Sequence, residues 1–168
     1  MRTSFISLLT SSGLLVAGCS NGFVDLSGTV NGKKVNGNAF WGGPHIVFTD
    51  GDLGCKELDW VKTNYGTSDQ YVLQTSENFA ALQITFRSSD IVDGESGITP
   101  NGPPTNAWFL ESDAGDAVIL SAKSGLVDLE IDGDWLVGNL EVDFGEAGKV
   151  SGDFEIQNCV NLKSVEGR

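Results

Sequence analysis

From Phe23 onwards, apolar and polar residues alternate with a period of two in short runs, and glycine, asparagine and aspartate separate the runs. Val127, Leu129 and Ile131 alternate with Asp128, Glu130 and Asp132, while Leu140, Val142 and Phe144 alternate with Glu141 and Asp143. Successive side chains of a strand point to opposite faces, so each run predicts a strand with one face in the core and one in water. Phe23 to Val30 and Lys33 to Phe40 flank Asn31-Gly32. That dipeptide supplies the two positive-φ positions of a type I′ turn, so the pair predicts an opening hairpin. Strands are also expected at His45 to Thr49, Tyr71 to Thr75 and Phe79 to Phe86. Between them, Cys55, Leu58 and Val61 recur at three-residue spacing within Leu53 to Lys62, which predicts one or two helical turns.

Arg87 to Asn106 lacks periodicity and carries Asp93-Gly94, Asn101-Gly102 and Pro103-Pro104. It reads as the longest loop, a change of sheet and a candidate contact surface, because long loops in compact domains are often functional. A meander is expected after it. Its strands are Trp108 to Glu111, Ala117 to Ala122, Leu126 to Ile131, Trp135 to Phe144 and Lys149 to Gln157, with turns at Asp113 to Asp116, Ser124-Gly125, Asp132-Gly133 and Gly145 to Gly148. Connections this short predict antiparallel neighbours throughout. The fold class is therefore all-β: an antiparallel β-sandwich or partly open up-and-down barrel with a C-terminal meander and at most one short helix.

The first twenty residues follow another rule. Arg2 precedes an apolar run from Phe5 to Leu15 and then small residues, the order of a secretory signal peptide, and the run falls short of the ~20 residues of a spanning helix. Val16-Ala17-Gly18-Cys19 resembles the bacterial lipobox. The resemblance implies cleavage before Cys19 and lipidation of its thiol. It divides the chain into a signal peptide at 1–18, a lipid-anchored tether at 19–22 and a single β domain at 23–168. A diacylglycerol and an amide-linked acyl chain bury methylenes at ~0.8 kcal/mol each, enough for stable anchoring. The resemblance places the protein in the bacterial cell envelope, and Ser20 after the lipidated cysteine favours the outer membrane. The remainder is similar to uncharacterised envelope lipoproteins in which an opening hairpin, a central cysteine and a terminal strand with Gly152, Phe154 and Cys159 recur. That similarity implies a β fold and no activity.

Two cysteines remain, Cys55 and Cys159, and in an oxidising compartment they read as one disulfide. It would close a loop of about 100 residues, for which chain entropy gives roughly 4 to 5 kcal/mol. The chain has 23 acidic and 10 basic residues, a formal net charge of −13, and loss of Arg2 with the signal peptide makes it more acidic by one. Such a surface disfavours nucleic acid and anionic headgroups; it reads first as a solvated face that keeps the domain soluble and off the membrane, and it also suits a basic protein or a divalent cation. Asp128, Glu130, Glu141 and Asp143 are expected to project from adjacent strands joined at Asp132-Gly133, facing one another as like charges.

Catalytic patterns are scarce. His45 is the sole histidine, no serine lies in a Gly-x-Ser-x-Gly elbow, and no Walker or Rossmann glycine pattern occurs. No cofactor is expected. Asp128-x-Glu130-x-Asp132-Gly133 mimics the opening of a calcium loop, but its twelfth position is Asn139 where a bidentate glutamate belongs. Trp41, Trp60, Trp108 and Trp135 are either core residues or a carbohydrate-binding display. The leading expectation is a non-enzymatic structural or interaction protein held to the membrane through Cys19, with a basic protein or carbohydrate as partner. The alternatives are a ligand-binding module for carbohydrate, calcium or an apolar molecule, and an acidic inhibitor of a cationic enzyme.

Overall fold

The alternating runs pair as two antiparallel halves of one nearly closed barrel. In the computed structural model the described residues are 22–50, 59–65, 68–74, 79–87, 91–100, 105–113 and 116–159. One half has the order β1 (Phe23–Val30), β12 (Gly148–Gln157), β11 (Trp135–Asp143), β10 (Ser124–Asp132) and β7 (Gly94–Ile98). The other comprises β8 (Thr105–Asp113), β6 (Phe79–Phe86), β3 (His45–Thr49) and β2 (Ala39–Gly42), with β9 (Asp116–Ser121) paired to β8. A separate hairpin joins β4 (Asp59–Tyr65) to β5 (Ser68–Gln74).

The halves meet at two narrow seams. At one, β7 and β8 run parallel and share the single pair Ile98 and Thr105, reinforced by the Thr99 N–H donating to the Thr105 carbonyl at 3.0 Å. At the other, Trp41 bridges Asn158 in parallel, and the Cys159 N–H donates to the Trp41 carbonyl at 2.6 Å. The Trp41 indole N–H also donates to the Asp134 carbonyl at 3.3 Å.

Side chains of both halves fill the space between them. Phe48 of β3 meets Phe154 of β12 edge-on at 5.0 Å, and Phe109 of β8 meets Phe144 at 6.3 Å. Ile46, Leu82, Ile84, Leu136 and Ile156 are fully buried beside them. The outer side of β2, β3, β6 and β8 is covered too, with Phe40, Val47, Phe79, Ala81, Leu110 and Cys159 in a second buried cluster. Cys159 is disulfide-bonded, and Cys55 lies outside the described residues.

Glycine sets the closeness of β1 and β12. A Cβ on Gly152, whose φ is +151°, would lie 2.0 Å from the Asp25 carbonyl oxygen, so only a residue without a side chain permits the ladder there.

Four expectations need correction. Asn31 and Gly32 do adopt positive φ values of 50° and 77° and turn the chain. The opening hairpin nevertheless does not form beyond the Val30 and Lys33 bridge: β1 pairs over its whole length with β12, and β2 pairs with β3. An eight-pair ladder outcompetes a partner strand interrupted by Asn36, Gly37 and Asn38. Residues 59–62 of the expected helix are strand, because Trp60, Val61 and Thr63 favour extended backbone and find a partner in β5; residues 53–58 lie outside the described residues. The loop from Arg87 to Asn106 contains β7, whose Gly94, Gly97 and short length hide its alternation.

The meander is also broken. β9 and β10 are not neighbours: Ser124-Gly125 opens β10, which pairs with β7 and β11. The Ala122 N–H donates to Ala107 in one half and the Lys123 N–H to Asp143 in the other, so the chain changes sheet within two residues. The other three connections of the set are as expected: β8 and β9 join at Asp113 and Asp116, β10 and β11 at Asp132 and Trp135, and β11 and β12 through a turn at 144–148 containing one 3-10 turn at Gly145–Ala147. The result is all-β and barrel-like.

Candidate functional site

The register of the first half gathers acidic side chains in a way that the spacing within each strand does not reveal. On its outer face, Glu95 of β7 lies opposite Asp128 of β10, Asp128 opposite Asn139 of β11, Asn139 opposite Asp153 of β12, and Asp153 opposite Asp25 of β1. This row of four carboxylates and one amide crosses five strands. The next row contains Glu130, Val137, Glu155 and Phe23.

The expected facing of like charges across β10 and β11 is therefore displaced. Asp128 faces Asn139, Glu130 faces Val137, Glu141 faces Leu126 and Asp143 faces Ser124. The like-charge pairs lie further out, at Glu95 with Asp128 in the neighbouring β7–β10 pair and at Asp25 with Asp153 in the β1–β12 pair. The cause is the tight turn after Asp132, which fixes Asp132 opposite Trp135 and so offsets the acidic positions of the two strands.

A surface hollow of about 350 Å3 lies over these two rows and is lined by Phe23, Asp128, Glu130, Val137, Asn139 and Asp153, among others. Phe23 is 49% exposed and Val137 37%. Apolar surface and carboxylates thus share one concavity, and among the described residues no lysine or arginine lines it.

At the far end of the face, Asp143 is neutralised locally. Its Oδ2 accepts from Lys149 Nζ at 2.6 Å and its Oδ1 from the Gly145 N–H at 2.6 Å. The Lys149 hydrogen bond, and then that from Gly145, hold its carboxyl below the usual aspartate range, while Asp143 raises the Lys149 ammonium.

The calcium candidates Asp128, Glu130 and Asp132 follow one another along β10 at two-residue spacing, about 7 Å per step. Among the described residues no group of three or more His, Cys, Asp or Glu side chains converges to hold a metal ion. Trp41 belongs to the core, and Trp108 packs against the outer cluster. Trp135 is half-buried, and the side chain of Trp60 lies outside the described residues. His45 is buried on the covered side of β3, within 3.1 Å of the Thr85 hydroxyl, and burial pushes its pKa down to about 4. It is neutral at physiological pH and belongs to the half of the barrel that does not carry the acidic rows. Cys19 and the tether up to Asn21 lie outside the described residues.

Sequence reasoning named Asp128 and Glu130 but missed Asp25, Glu95, Asp153, Phe23 and Val137. Asp25, Asp153, Phe23 and Val137 sit at an outward parity that the alternation shows, and for them the missing information was the pairing of β12 with β1 and β11; Glu95 lies in β7, whose alternation is hidden. No protein-family model, characterised protein or solved structure matches the chain.

Proposed function

We propose that this chain is a lipid-anchored protein of the bacterial cell envelope, held through Cys19 in the outer membrane, with a non-catalytic interaction role. The observation that carries the reading is the start of β1 at Phe23, four residues after the lipobox cysteine. At most ~3.5 Å per residue of tether keeps the domain beside the lipid surface, and its acidic outer face suits a basic partner there and disfavours nucleic acid. A basic partner includes a cationic enzyme, so the inhibitor reading uses the same surface.

Fractionation tests the proposal. Wild-type chain should enter the detergent phase, and Cys19→Ser should accumulate as a larger, uncleaved precursor. Wild-type protein free in the aqueous phase would contradict the anchoring.

A further inference from the structure

We infer that the hollow between Phe23, Val137 and the Asp128–Asp153 row is a docking site for an arginine-bearing, apolar-flanked segment of a basic protein. The inference rests on the interaction role proposed above and names the chemistry of its partner.

Two properties of the hollow select this occupant. Three of the five exposed large hydrophobic residues among those described, Phe23, Leu126 and Val137, lie on this one outer face. Phe23 and Val137 enter the hollow itself, flanked by Asp128, Glu130 and Asp153 with the Asn139 amide between the carboxylates. An anionic ligand is repelled by the rim. A small hydrated cation gains nothing from the apolar wall, and the carboxylates do not converge on a point.

An arginine or lysine side chain matches both parts, because its methylene stem packs on apolar surface while its head remains polar. Arginine matches better. Its planar guanidinium stacks on an aromatic face such as Phe23 and presents forked donors to carboxylates set along a row. The row extends beyond the hollow to Asp25 and Glu95, so neighbouring cations of an extended segment would meet further carboxylates. Like charges facing across two strand pairs are unfavourable in the free protein, and a cationic segment relieves them on binding.

The test is calorimetric titration of the purified full chain in non-ionic detergent at 25 mM and 300 mM salt. The probe is a peptide of three Leu-Arg-Gly repeats. Binding is expected at low salt and weaker at high salt. Asp128→Asn and Asp153→Asn should each weaken it about tenfold, and Val137→Ser about fivefold. Glu146→Gln, which removes one exposed charge on the Gly145–Ala147 turn, should leave it unchanged. Thermal melts of Val137→Ser and Glu146→Gln should coincide with wild type, and those of Asp128→Asn and Asp153→Asn should lie at or slightly above it because each removes a facing like charge; a lower melt would mark lost fold rather than lost binding.

Equal weakening by Glu146→Gln would reduce the effect to net charge and overturn the proposal. So would equal affinity for three Gly-Arg-Gly repeats, which lack the apolar residue, or no binding at 25 mM salt. Binding of a β-1,4-linked glucose hexamer in place of the peptide would overturn it too and assign the hollow to carbohydrate. Membrane fractionation reads anchoring independently of this titration, so failure of one is distinguishable from failure of the other.

Discussion

Asp25 of β1 and Asp153 of β12 lie directly opposite each other on the outer face, across a ladder whose backbone approach depends on the absent side chain of Gly152. Directly opposed like charges destabilise a strand pair by some tenths of a kcal/mol. Asp25→Asn should therefore raise the urea midpoint slightly at low ionic strength, and the gain should shrink as salt screens the pair. A lower midpoint in the variant at low salt would show that Asp25 is held by a favourable contact instead.

The same ladder makes a sharper prediction. Gly152→Ala forces a Cβ to within 2.0 Å of the Asp25 carbonyl at a φ of +151°, and strain of this kind costs roughly 1 to 3 kcal/mol. Gly97→Ala in β7 meets nothing within 4 Å and should be neutral or mildly stabilising. Urea unfolding of the two variants side by side checks this, and equal midpoints would contradict the placement of β1 against β12.

His45 makes stability depend on pH. Burial lowers its pKa from 6.5 to about 4, so between those values the unfolded chain binds a proton that the native chain does not. Stability then rises with pH through that window, is complete above it, and is lost as pH falls towards 4. The loss amounts to at most about 3 kcal/mol. Wild type minus His45→Gln, compared by urea midpoint at each pH, isolates this contribution from the carboxylates. The lowered Asp143 carboxyl acts separately: its contribution is present above the ordinary aspartate value and lost below it. A difference that stays flat from pH 7 to 4.5 would mean that His45 is solvated.

The strands that read most clearly in the sequence were those whose pattern is complete within the run. His45–Thr49 and Phe79–Phe86 match their expected bounds, because β-branched and aromatic residues over five to eight positions leave little choice of backbone. The pairing was less legible. Asn31-Gly32 specifies a turn and says nothing of whether Lys33 onwards will follow as a strand, and β1 found its partner near the other end of the chain, at Gly148–Gln157. The change of sheet at Ala122-Lys123 has no local signal either, since a short connection between strands fits a hairpin equally well. The acidic rows inherit this limit: Asp25, Asp128 and Asp153 were visible as outward positions and Glu95 was hidden in an aperiodic stretch, and the four become one row only once the non-local register is known.

Anchoring through Cys19 is decided by the mass of the N-terminal peptide of the protein extracted from membranes. That peptide should begin at Cys19 and carry a thioether-linked diacylglycerol and an amide-linked acyl chain. A peptide that begins elsewhere, or one with an unmodified Cys19 thiol, would contradict the lipid anchor and with it the envelope role built on it.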